Sequence, residues 1–308
     1  MTAADLEREV LVRHLESWAP AALHRARRAT YVHGYADAGG GALAEAALRV
    51  FAEQSDLVRG RELTMIAVGD DLSALAPRLV TAGAGAGLTV QTVSGGTDER
   101  LPVALKAAGA ARVPLLGFLD ATAASAPPAP ATIAALAAGR PAEILLVLAA
   151  DAVPDVEGFR ASLRASGFPL AAAVELVDGD GPAQLMIFAT GLGKSLEGFK
   201  ETLWAVDEYA GVRYRDPGDP ERHLLDVSLS PHPGPLRREM LAHLGAAGAA
   251  TVTELRTYTL TETVYRAVDA TRVIQALLTA GSVTRRPEQG RLGGDVVITR
   301  SGAGAPDA

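Results

Sequence analysis

Four short apolar runs in the first half of this chain each lead into glycines or a carboxylate, and those junctions are where its chemistry can reside. The run 30–36 (TYVHGYA) leads into Asp37, Ala38, Gly39, Gly40 and Gly41; 63–68 leads into Asp70 and Asp71; 88–93 is followed by Asp98; and 113–119 by Asp120. Glycines after a strand let backbone N–H groups approach a ligand, which assigns Gly34 and Gly39 to a binding loop, with Asp37 inside it. A carboxylate ending the second strand accepts hydrogen bonds from the ribose hydroxyls of a nucleotide-like cofactor, a role open to Asp70 or Asp71, and Asp98 can stand beside an adenine. Asp120 can orient or deprotonate a nucleophile. Each residue also has a structural reading. The glycines suit a tight turn, and Asp71 and Asp98 both stand where they can cap a following helix. Gly39, Gly41 and Ala44 satisfy G-x-G-x-x-A, on which a nicotinamide dehydrogenase reading would rest.

Other chemistry is excluded more firmly. With no cysteine there is no disulfide, thiolate metal site or cysteine nucleophile, which fits a reducing cytoplasm, and the six histidines lack metal-ligand spacing, so no metal is expected. The stretch GLGKS (191–195) follows a strand and opens a helix, but a phosphate loop needs a glycine where Phe188 stands, so Ser195 reads as a helix N-cap. No apolar run is long enough to span a membrane, and the first residues show no basic segment leading into a signal core.

The elements that must hold these residues alternate. An amphipathic leading helix (6–18) precedes strand–helix cycles: 30–36 with 42–54, 63–68 with 71–81, 88–93 with 98–108, 113–119 with 130–138, and 144–148 with 155–166. Five such cycles predict a mostly parallel sheet covered on both faces. The runs 171–177 and 184–190, separated by VDGDGP, form a hairpin closing that sheet, as in class I methyltransferases, and 195–209 is a further helix. Three prolines within 230–235 mark a linker, which predicts a Rossmann-like α/β domain over 1–230 and a small domain over 235–300 with a frayed tail at 301–308. In the small domain, helices 236–244, 251–258 and 269–280 precede a hairpin of 283–286 and 291–300, the order of a winged helix. Nine arginines against six acids give 235–300 a formal charge of +3, against −10 for the remainder. Arg285, Arg286 and Arg291 on the wing, with Arg256, Arg266 and Arg272 near the helices, can contact phosphates or a partner protein.

The segment GKSLEGFKETLWAVDEYAGVRYRD (193–216) resembles the G-K-S…K-x-x-L-W-x-V-D segment of the three-Cys-motif partner family. YTLTETVYRAVDATRVIQALLTAGSVTR (258–285) is similar to that family's winged helix, and YVHGYADAG (31–39) to its Y-V-D-G-F-A-G-P-G loop. The resemblance spans most of the chain. It implies a class I methyltransferase-like domain with a winged-helix tail, S-adenosylmethionine held by Gly34, Gly39 and Asp70 or Asp71, and Asp120 near the methyl acceptor. It also implies a partner with a three-cysteine motif, resembling radical enzymes that cleave S-adenosylmethionine. The chain departs from the family where His33, Asp37 and Ala38 replace Asp, Gly and Pro, and F-L-D-P-x-G is reduced to FLDATA (118–123). Asp37 in place of a glycine crowds and repels the cofactor's carboxylate. Two readings follow: a methyltransferase acting on nucleic acid or a partner protein, and a catalytically silent scaffold whose winged helix binds DNA or a partner.

Overall fold

The computed structural model describes residues 2–54, 56, 60–179, 181–206, 212–219, 221–226 and 232–301. The chain divides into two compact units, Met1–Val227 and Ser228–Ala308. Residues 230 and 231 of the proline-rich segment and 302–308 of the tail lie outside the described residues.

The first unit begins with α1 (Ala3–Arg25), started by a capping box between Thr2 and Asp5. Leu6, Val10, Leu11, Leu15 and Trp18 bury its apolar stripe. Pro20 lies inside the helix and cannot donate to the Glu16 carbonyl; Gln54 Nε2 donates to it instead, at 3.1 Å. The strands follow in alternation with helices. They are β1 (Arg28–Gly34), β2 (Glu62–Gly69), β3 (Thr89–Ser94), β4 (Leu115–Ala121) and β5 (Ala142–Ala149), then the hairpin β6 (Leu170–Asp178) and β7 (Gln184–Thr190). Between them run α2 (Ala42–Glu53), α3 (Ala76–Gly85), α4 (Thr97–Ala107), α5 (Pro130–Leu136) and α6 (Val156–Ala165), with α7 (Gly193–Ala205) after β7.

Among the described residues the sheet has nine strands in the order β3-β2-β1-β4-β5-β7-β6-β8-β9. The first five are parallel; β7 is antiparallel to both β5 and β6. Burial on both faces explains the unbroken apolar runs of β1, β2, β4 and β5. Val32, Val68, Leu119 and Leu146 pack with Leu101 and Leu136 in one core, and Tyr31 meets Phe51 edge-on in another, at 5.2 Å between ring centroids.

Three local expectations fail. The helix after β2 starts at Ala76, not Asp71, because Asp71 Oδ1 accepts the Ser73 N–H and the Leu72 carbonyl takes Leu75 and Ala76, forming a turn first. The helix after β7 starts two residues before Ser195, with Leu192 as its N-cap, so Ser195 caps nothing. The polar stretch after α7 contains two further edge strands, β8 (Val212–Arg215) and β9 (Leu224–Asp226). Glu175 of β6 draws them in by accepting hydrogen bonds from Arg215 and Arg222, both at 3.0 Å.

The second unit runs α8 (Gly234–Ala247), β10 (Ala249–Thr251), α9 (Val252–Glu262), α10 (Ala267–Thr279), β11 (Val283–Arg286) and β12 (Val297–Arg300), with β12 central and antiparallel to both neighbours. Thr251 and Glu254 form the capping box of α9. Leu236, Met240, Leu244, Leu255, Ile274 and Ile298 fill this unit's core. Among the described residues, no helix is long and apolar enough to cross a membrane.

Candidate functional site at the strand ends

From β1 the chain steps outward to β2 and β3 and then returns to β4 on the other side, so strand order reverses between β1 and β4. In open sheets of this kind the carboxyl ends flanking that reversal are where ligands bind. Gly34, Asp37, Gly39, Asp70, Asp71, Asp98 and Asp120 all lie on that edge, at or just after the ends of β1, β2, β3 and β4.

The glycines do different work there. A Cβ on Gly34 would sit 2.2 Å from Leu119 Cδ2 and 2.9 Å from Thr97 Cγ2, so this glycine is required by close packing of β1 against β4 and α4. No ligand approach needs to be invoked for it. Gly39 is different: it is exposed, has a φ of +56°, and nothing lies within 4 Å of where its Cβ would be. Its backbone remains accessible to a ligand, in a left-handed turn that glycine adopts freely.

The carboxylates divide similarly. Asp37 folds back onto the end of β2: its Oδ2 accepts the Asp71 N–H at 3.1 Å, and its Oδ1 would lie 2.4 Å from a Cβ on Gly69. Its charge therefore stands at the end of β2, against Gly69 and the Asp71 backbone. Asp71 is fully exposed, and hydrogen bonds from Ser73 hold its carboxyl below the ordinary range. Asp98 is exposed and does not cap α4, whose N-cap is Gly96; its Oδ1 accepts from Ala129 N at 2.9 Å and Thr132 Oγ1 at 2.5 Å, tying α4 to the start of α5. Asp120 is nearly buried and accepts from Thr122 N and Oγ1, at 3.1 and 2.6 Å. Asp70 is exposed, with its Oδ1 on the side of Gly96.

Three residues that the sequence reading did not select join this edge. Tyr35 takes a left-handed conformation, with a φ of +53°, and donates its backbone N–H to Thr97 Oγ1. Burial pushes its phenol up to about 12, with Asp98 and then Asp70 adding to the shift. His33 is wholly buried, its Nδ1 is 2.8 Å from the Tyr31 hydroxyl, and burial depresses it to about 3, so it stays neutral. Glu7 of α1 is buried, and that burial, with the Asp120 charge second, raises its carboxyl to about 8. Its Oε1 has no hydrogen-bond partner. Beside Asp120, Glu7 is a carboxylic acid kept protonated at neutral pH, the arrangement by which two acids take different proton-transfer roles. Its sequence signal was its position, since Ala3, Glu7, Val10 and His14 fall on one stripe at helical spacing and only apolar partners were expected there.

In the second unit, Arg286 and Arg291 are exposed, whereas Arg285 is spent on the hairpin itself, donating to the carbonyls of Pro287 (2.9 Å) and Arg291 (3.2 Å). Arg266 cannot reach a phosphate: it is buried and forms a two-pronged pair with Asp269, at 2.9 and 3.0 Å.

No protein-family model matches this chain, and no curated protein matches it. Among solved structures it is similar to a protein of Nostoc punctiforme PCC 73102 provisionally assigned as an O-methyltransferase, at 10% identity and a TM-score of 0.30 over 57% of this chain and 55% of that one. It is also similar to the pyocyanin biosynthetic protein PhzM, at 15% identity and a TM-score of 0.27, again over 57% and 55%. The chain spans about half the length of either neighbour, and likenesses of this strength carry no functional argument.

Proposed function

We propose that the first unit is a class I methyltransferase-type domain whose S-adenosylmethionine crevice is kept at its ribose end and closed at its glycine turn, leaving a protein that does not transfer methyl groups. The sheet order, with an antiparallel strand inserted between β5 and β6, supports the fold part of this reading. The acids along the strand ends suit a cationic sulfonium better than the phosphates of a dinucleotide, which argues against a dehydrogenase. Asp70 fits a ribose. The observation that carries the proposal is Asp37, whose carboxylate lies on Gly69 and the Asp71 N–H, where it opposes the cofactor's own carboxylate.

Calorimetric titration with S-adenosylmethionine and S-adenosylhomocysteine tests this. Wild type should give no micromolar binding, Asp37→Gly should bind at least about tenfold more tightly, and adding Asp70→Ala should abolish the gain. Micromolar binding by wild type, lost in Asp70→Ala alone, would restore the methyltransferase reading and make Asp120 and Glu7 its acid–base pair.

The second unit supports the companion reading of a binding scaffold. Its helix and strand order is that of a winged helix, with Arg286 and Arg291 exposed on the wing. Double-stranded DNA is the first partner to test, and a protein with a three-cysteine motif the second. DNA affinity should fall steeply with salt, and Arg286→Ala and Arg291→Ala should each lower the salt slope by about 1. Salt-insensitive binding, or slopes unchanged in both variants, would rule out the phosphate contact.

A further inference from the structure

A second site lies at the opposite edge of the first unit's sheet, where β4 and β5 begin and β7 ends. A cavity of about 420 Å³ is bounded there by α1, by Pro114 and Pro141 ahead of β4 and β5, and by the first turn of α7. Its inner wall is polar. Glu143, the second residue of β5, is only 3% exposed; its Oε1 accepts the Ser195 hydroxyl at 2.7 Å, and its Oε2 has no hydrogen-bond partner. His14, also 3% exposed, is held edge-on by Phe188 and Phe199. Its Nε2 lies 3.4 Å from Glu143 Oε2 without a hydrogen bond, and its Nδ1 has no partner either. His14 Nε2 and Glu143 Oε2 thus face each other at ion-pair distance with neither making a hydrogen bond, and burying polar groups without hydrogen bonds is costly, which leaves capacity for a ligand.

The rim has the opposite charge. The helix α7, 13 residues long, presents its N-terminus to the cavity. The Leu192 carbonyl already takes the N–H groups of Ser195 and Leu196, which leaves those of Gly193 and Lys194 as the outward donors of the first turn. The Lys194 and Arg25 side chains line the same opening, and Trp18 and Ala22 form an apolar wall.

A simple anion does not suit this arrangement, because the Glu143 carboxylate of β5, bonded to Ser195, stands against the same first turn of α7 and repels it. A simple cation leaves the rim unanswered. We propose that the cavity binds a small zwitterion, an α-amino acid with an apolar side chain. Its ammonium meets Glu143 Oε2, its carboxylate meets the Gly193 and Lys194 N–H groups, and its side chain lies against Trp18. Ser195 holds Glu143 against the first turn of α7, so both recognition points lie at one helix start.

The test is calorimetric titration of the full chain with L-leucine and L-phenylalanine. In parallel, the amines lacking the carboxylate (isoamylamine, phenethylamine), the acids lacking the ammonium (isocaproate, hydrocinnamate) and inorganic phosphate are titrated. One of the two amino acids should bind with a Kd below about 1 mM, and its one-group analogues and Glu143→Gln should each lose about tenfold or more. Gly198→Leu fills the cavity from α7, at an exposed position with nothing within 4 Å of the new Cβ, so it should fold and abolish binding. Glu99→Gln, at an exposed position on α4, should leave this binding unchanged. The proposal is overturned if neither amino acid binds, if phosphate binds as tightly as the better one, or if Gly198→Leu binds like wild type.

Discussion

Replacing Glu7 with glutamine should remove a loss of stability, on the order of 5 kcal/mol, that the wild-type first unit suffers as pH rises from about 4.5 to about 8. An unfolded Glu7 titrates near 4.5, whereas the buried one keeps its proton to about 8. Between those values the native state holds a proton that the unfolded chain has released, so stability is full below pH 4.5, falls by about 1.4 kcal/mol per pH unit, and levels off above 8. His33 acts in the opposite sense. Burial depresses it from 6.5 to about 3, so its contribution is present above 6.5 and is lost as pH falls toward 3. The wild-type profile alone mixes the two, and the difference between wild type and Glu7→Gln isolates Glu7. Denaturant unfolding at about pH 5, 7 and 9 should show the two proteins converging at the lowest pH, with the glutamine variant well ahead at the highest. Parallel profiles would mean that Glu7 ionises normally in the fold. Asp120→Asn should move the wild-type midpoint down, because the Asp120 charge contributes to the rise.

Asp269→Ala should cost the second unit about 3–5 kcal/mol, because it leaves the buried Arg266 guanidinium without its carboxylate. Asp269 also sits at the third position of α10 and accepts the Arg266 backbone N–H at 3.1 Å, so the helix start is weakened at the same time. Arg266→Ala should be destabilising for the complementary reason, whereas the double replacement Arg266→Met with Asp269→Leu should recover most of the loss, since no buried charge then remains unpaired. Hydrogen exchange of the α10 amides in the full chain reads this unit directly. Exchange in Asp269→Ala as slow as in wild type would show that the pair is not needed for α10.

Much of the architecture is legible in the chain because parallel strands buried on both faces must be unbroken apolar runs. Those runs in β1, β2, β4 and β5, each followed by a helical stripe, announce an alternating α/β sheet. The hairpin of β6 and β7 is legible for another reason, the Gly/Asp chemistry between two apolar runs. The edge strands β8 and β9 are not, since V-R-Y-R and L-L-D are too short for a period to show; β8 is held by pairing to β6, far away in sequence, and β9 by pairing to β8.

The candidate site separates in the same way. From the sequence alone came the positions: glycines after the first strand, and acids after the second, third and fourth. Tertiary structure decided what each one faces. Gly34 packs on Leu119 and Thr97, Asp98 bonds Thr132, and Asp37 turns onto Gly69. Glu7 and His14 lie on a stripe that periodicity marks as buried, but a hydrophobic pattern specifies only which side of a helix is covered. Whether the group waiting there is a methyl, a second carboxylate or an open cavity depends on strands brought against that helix by the fold, and that decides whether a buried acid is silent, protonated or ready for a ligand.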